Sequence, residues 1–148
     1  MQDQSRNDDS RKLLSFQVGA QEFCVDVMAV REIRGWTQTT ALAHAPSYVC
    51  GVINLRGAVL PVIDLAERLG LEQSIPDSQH VIIVVQIGRN TVGLVVSAVC
   101  DILDVTEKSI QPTPDAASRD GETFVQGLLT AGETMISLIS VDQLIPAA

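Results

Sequence analysis

Few residues in this 148-residue chain are of a type and spacing that could do chemistry. His44 and His80 are isolated from each other and from any second ligand at a metal-binding spacing, so no metal site is expected. Cys24, Cys50 and Cys100 form no Cys-x-x-Cys pair, and each lies among apolar residues and reads as a small buried hydrophobe. No Gly-x-Ser-x-Gly elbow, phosphate-binding loop or histidine paired by spacing with an acid or cysteine is present, so neither catalysis nor a cofactor is expected. What remains is a pair of charges, Glu32 within VREIRG and Arg56 within NLRG. A guanidinium is permanently charged and offers five donors in a planar fork, which suits recognition rather than turnover. As a solvent-exposed ion pair the two would contribute only about 0 to 1 kcal/mol to stability.

The element that must hold Arg56 is GVINLRGAVLPVIDL, residues 51–65. Val52 and Ile53 precede a polar Asn-Leu-Arg-Gly turn, and Val59, Leu60, Val62 and Ile63 follow it, which predicts a β-hairpin with Arg56 at or beside its tip. Asp64 and Glu67, three apart and followed by Gly70, predict a short capped helix. Upstream, Leu14, Phe16 and Val18 alternate, Gly19 turns, and Phe23, Val25 and Val27 alternate again: a first hairpin. Val27, Val30 and Ile33 recur every third residue and suggest a helical turn leading into another strand. Residues 81–96 form a further hairpin turning at Gly88, its first arm continuously apolar and so buried on both faces. A last hairpin turns at Ala131-Gly132-Glu133.

The halves repeat. Gln17-Val18-Gly19 matches Gln86-Ile87-Gly88 at an offset of 69, and at that offset Val27 to Ile33 matches Val96 to Ile102 as Val-x-Ala-Val-x-acid-Ile. Val49-x-Gly51 matches Val125-x-Gly127 at an offset of 76, which the caps Asp64 and Ser140 share; the extra seven residues fall in the polar connection 106–122. Each copy is thus a hairpin, a turn, a strand, a second hairpin and a capped helical turn. Closing about five strands per copy into a small barrel removes sheet edges, and two such small barrels must pack together, leaving a groove between them. Apolar content of 46% with only five aromatic residues requires an aliphatic core, and a formal net charge of -8 argues against a nucleic-acid partner. The polar start of the chain lacks a secretory signal, and no apolar run reaches the roughly 20 residues that span a bilayer, so a soluble cytoplasmic protein is expected.

VREIRG at 30–35, the 51–65 hairpin and VGLVVSAVCDIL at 92–103 together resemble the CheW adaptor family of bacterial chemosensory arrays. The resemblance spans roughly residues 13–146. It implies an all-β fold of two packed SH3-like five-stranded β-barrels with short helical turns. The implied layout is a tail at 1–12 and barrels at about 13–70 and 80–146, with their first strands open to exchange. It also implies a non-enzymatic adaptor that couples transmembrane chemoreceptors to a CheA-type histidine kinase, whose regulatory domain has the same fold. The alternative is a CheW-like scaffold of a pilus or other non-flagellar pathway. In the family the groove between barrels receives the helical cytoplasmic tip of a methyl-accepting chemotaxis protein. The positions matching that groove are Val30, Glu32, Ile33, Arg56, Val81, Val99 and Ile102, with Glu32 and Arg56 expected to pair; kinase-binding residues are not assigned. One departure is Ala116, where familiar members carry an aromatic that helps ring contacts.

Overall fold

Alternating apolar residues and glycine turns set most of the architecture. In a computed structural model, which describes residues 10–71, 78–112 and 124–144, the first hairpin is β1 (Ser10–Val18) and β2 (Gln21–Asp26). A 3-10 turn, Val27–Ala29, leads into β3 (Val30–Gly35), and the Arg56 hairpin is β4 (Val49–Leu55) and β5 (Ala58–Asp64). Asp64 caps the one-turn helix α1 (Leu65–Arg68) by accepting a hydrogen bond from the Ala66 amide at 3.1 Å. The second copy supplies β6 (Val81–Ile87), β7 (Asn90–Val96), β8 (Ala98–Thr106), β9 (Val125–Ala131) and β10 (Thr134–Ile139), with 3-10 turns at Glu107–Ser109 and Val141–Gln143. Ser140 precedes the last turn without a side-chain capping bond, so the second cap matches the first in position only.

β1 begins at Ser10, ahead of the expected position 13, because its polar start is tied down. Arg11 pairs with Asp26 at 3.0 Å and with Glu107 at 3.4 Å, and Lys12 pairs with Asp104 at 3.0 Å, while the backbone of residues 10–12 runs beside β8.

The strand orders are β8-β1-β2-β10-β9 in one sheet and β3-β6-β7-β5-β4 in the other. Each copy's first hairpin therefore lies in the sheet formed by the other copy's later strands. Both exchanges use the same parallel contact: β2 pairs with β10 through Cys24–Leu138, and β7 pairs with β5 through the equivalent Gly93–Val62. Each sheet is closed by the chain that leaves its first edge strand. Thr40, beyond β3, exchanges two backbone hydrogen bonds with Val52 of β4, and Gln111, beyond β8, exchanges two with Leu128 of β9. The sheet holding β1 is called the first barrel here and the sheet holding β6 the second.

Three apolar clusters follow from this layout. Leu13, Cys24, Leu129, Ile136 and Leu138 fill the first barrel. Ile53, Leu55, Leu60, Val62, Ile82, Val84 and Val95 fill the second. Ile53, Leu60 and Val62 correspond to Leu129, Ile136 and Leu138 at the offset of 76, so both barrels are packed from the same strand positions. The largest cluster lies between them and draws Leu14, Phe16, Phe23 and Val25 from one sheet and Ile63, Ile83, Val85 and Leu94 from the other. Burying whole aliphatic side chains contributes about 1.5 to 3 kcal/mol each, so this shared cluster binds the barrels into one unit.

Candidate functional site

β3 and β8 carry the matched motifs, and a one-residue bulge in each decides which way their side chains point. Val30 pairs with Val85 and Glu32 with Val84, leaving Arg31 as the extra residue; Phe16 pairs with Val99 and Ser15 with Asp101, leaving Cys100. Directly opposed residues share a face of a sheet. Val30 and Ile33 therefore both face the side of Val85 and Ile83, which is the central cluster, although three apart in sequence. Val99 and Ile102 do the same opposite Phe16 and Leu14. Without the bulges, residues three apart would lie on opposite faces.

The outcome is an apolar strip. Val30, Val81 and Val99 are partly buried against the central cluster, whereas Ile33 and Ile102 are 46% and 55% exposed at equivalent positions on the two strands. Two isoleucines are thus left open at matched positions, one on the edge strand of each sheet.

Glu32 faces the other way. It pairs with Val84, which lines the second barrel, and its carboxylate accepts hydrogen bonds from Arg56 at 2.5 Å and Arg34 at 3.2 Å. The Arg56 hydrogen bond is the main reason the Glu32 carboxyl is held below the usual range. The structure thus brings Glu32 and Arg56 together as expected but divides the seven candidates between two surfaces. Val30, Ile33, Val81, Val99 and Ile102 belong to the strip between the barrels. Glu32 and Arg56 border a groove of about 640 Å³ at the mouth of the second barrel, with Arg31, Arg89 and Val59.

The mount of Arg56 is rigid in an unusual way. Leu55 pairs with Ala58 across a two-residue loop in which Arg56 and Gly57 have φ of 52° and 90°, the pattern of a type I′ turn. Asn54 supports the turn by accepting a hydrogen bond from the Gly57 amide at 2.9 Å. At the other three hairpin tips the first turn residue is Gly19, Gly88 or Gly132, each with positive φ. A left-handed arginine where glycine serves elsewhere breaks a local rule, as functional positions often do.

Among the described residues, no group of three or more His, Cys, Asp or Glu side chains is placed to hold a metal. Cys24 is buried, as expected, but Cys50 is only partly buried, and Cys100 is exposed as the bulged residue of β8.

A sequence profile of the CheW-like domain matches residues 12–148. The chain belongs to the CheW-like family. The probable chemotaxis protein CheW of Rhizobium etli is 54% identical over 140 residues, covering 95% of this chain and 90% of that protein. The chemotaxis protein CheW of Rhizobium meliloti is 54% identical over 137 residues, covering 93% and 88%. The crystal structure of the scaffolding protein TtCheW from Thermoanaerobacter tengcongensis superposes with a TM-score of 0.83 at 31% identity, covering 90% of this chain and 91% of that one. The protein is accordingly a non-enzymatic chemotaxis adaptor of the CheW type with the two-sheet fold of its family. No helix among the described residues is long and apolar enough to cross a membrane. Ala116, the expected departure from the family pattern, lies outside the described residues.

Sequence reasoning missed Val59, which is 66% exposed beside the charged pair, and Met135, its counterpart in the second copy, 58% exposed. A signal was present: Val59 and Met135 directly precede the inward residues Leu60 and Ile136, so strand alternation turns both outward. Arg31 and Arg89 escaped notice because nothing in the sequence places them at one barrel mouth.

Proposed function

We propose that this CheW-type adaptor receives the helical cytoplasmic tip of a chemoreceptor on the strip between its barrels and couples it to a CheA-type histidine kinase through that kinase's regulatory domain. The observation carrying this reading is the matched exposure of Ile33 and Ile102 over a shared buried cluster. A helix presents apolar anchors along one face and docks in such aliphatic grooves. Glu32 and Arg56, on the adjoining barrel mouth, supply fixed polarity at a second part of the contact. The protein works in the cytoplasm and reaches the membrane only through receptor arrays. In this reading the chain from β1, at Ser10, to residue 146 acts as one domain of two barrels, each completed by the other copy's first hairpin. The chemotaxis names of relatives at 54% identity favour this pathway over a pilus-type output.

The test is reconstitution with receptor-containing membranes and kinase, measuring co-sedimentation and kinase stimulation. Ile33→Asp and Ile102→Asp should each abolish co-sedimentation with receptor while leaving the fold intact. Glu32→Ala and Arg56→Ala should reduce stimulation. Retention of receptor binding by both aspartate variants would remove the strip as the receptor site.

A further inference from the structure

One side chain breaks the correspondence between the copies. Tyr48 and Phe124 match at the offset of 76 and play the same backbone role: the Asp64 amide donates to the Tyr48 carbonyl and the Ser140 amide to the Phe124 carbonyl, each at 2.8 Å. Arg68, the last residue of α1, lies over both rings, its guanidinium carbon 4.6 Å from each ring centroid. Its Nε also donates to the Leu144 carbonyl at 2.5 Å. Leu144 is the second-copy counterpart of Arg68 and is fully buried. Tyr48 and α1 adjoin the second barrel, whereas Phe124 and Leu144 adjoin the first. A cation held over two aromatic faces, one from each barrel, is fixed in position, so sliding or rotating one barrel against the other draws it off a ring. An ammonium group, lacking the breadth of a guanidinium, cannot hold both faces in the same way. Tyr48 and Phe124 also pack on the central cluster, as do Val30 and Val99.

We infer that Arg68 is a positioning residue that sets the orientation of the two barrels, and with it the alignment of β3 and β8 on either side of the strip. The inference concerns the isolated protein and stands whether or not the strip is the receptor site.

Spin labels at Ala58→Cys and Thr134→Cys, equivalent exposed positions on the two barrels, report this orientation in a background carrying Cys50→Ala and Cys100→Ser. Arg68→Met keeps side-chain length but loses the charge and the hydrogen bond; Arg68→Lys keeps charge but loses the guanidinium. Both should unfold cooperatively while the label-to-label distance shifts or broadens, more in the Met variant. A distance unchanged in mean and width, with only a lowered Tm, would overturn the inference and leave Arg68 a simple stabilising contact. Should Arg68→Met fail to fold, Arg68→Lys and Phe124→Leu, which removes one of the two rings, decide the question by the same distance.

Discussion

Arg56 and Gly132 occupy the same position in the two copies, each the first residue of a two-residue hairpin turn, with φ of 52° and 64°. The second copy uses glycine, for which left-handed backbone is free of strain. The first copy uses a residue that pays about 1 to 2 kcal/mol for left-handed backbone. Replacing Arg56 with Gly should therefore relieve strain, offset by about 0.5 to 1 kcal/mol of extra unfolded-chain entropy. Loss of the exposed Glu32 ion pair subtracts a further small amount, so urea unfolding of Arg56→Gly is expected to show stability within about 1 kcal/mol of the parent, with receptor-stimulated kinase activity lost. A variant that retained full coupling would show that the charge is not used, and a large loss of stability would make Arg56 a structural residue.

The Glu32 carboxyl has a pH dependence of definite sign. Because its folded pKa is lowered, chiefly by the Arg56 hydrogen bond, its stabilising contribution is complete above the ordinary carboxyl range and is lost as pH falls through the lowered value. A carbon-detected NMR titration of Glu32 should give a midpoint below that of an unperturbed glutamate. In Arg56→Ala the midpoint should rise toward the ordinary value, with Arg34 retaining part of the depression. The stability difference between parent and Glu32→Gln should be constant near neutral pH and shrink only in acid. A difference that grew on acidification would contradict the pairing.

Much of this arrangement was legible because hairpins advertise themselves through alternation and glycine, and because the chain repeats. The 69-residue offset by itself aligns Val30 and Ile33 with Val99 and Ile102, and these pairs share one face. The every-third recurrence of Val27, Val30 and Ile33 was harder to read. It marks a 3-10 turn followed by a bulged strand, and a bulge at Arg31 has the same period as a short helix. That bulge also turns Glu32 away from Val30 and Ile33, a reversal of face that no composition rule reveals; its grouping with them comes from the family resemblance. The exchange of hairpins between barrels was open in the sequence for a related reason. Each hairpin is internally paired, so its sheet is chosen by long-range contacts such as Phe23–Ser137 and Gly93–Val62.

The matched glycines Gly51 and Gly127 yield a second structural prediction. Each lies where the closing segment crosses its barrel, and a Cβ at Gly127 would fall 2.6 Å from Ile110 Cγ2 and 2.8 Å from the Gln111 carbonyl oxygen. At Gly51 the Cβ would strike the Thr40 carbonyl, and φ is 149° besides. Gly127→Ala should cost about 1 to 3 kcal/mol, the usual penalty for overpacking. Gly51→Ala should cost more, because backbone strain of about 1 to 3 kcal/mol adds to the clash. Denaturant unfolding of both variants checks the order; two neutral substitutions would mean that the Thr40–Val52 and Gln111–Leu128 closures are not tight.

The three thiols should differ in reactivity in a way that tests the packing of the barrels. Burial pushes Cys24 up to about 12 and Cys50 up to about 11, and it raises the exposed Cys100 as well, with help from Glu22 and Asp101. The thiolate is the reactive form, so none of the three should react at neutral pH as fast as a free cysteine. With a thiol-specific chromogenic reagent, the native protein should lose one thiol slowly, at a rate that climbs with pH beyond the ordinary thiol range. Cys100→Ser should abolish that phase. Cys24, enclosed with Leu13 and Ile136 inside the first barrel, should react only on global unfolding. Equal reaction of Cys24 and Cys100 in the native protein would show that the first barrel opens readily, against the closed packing of its interior.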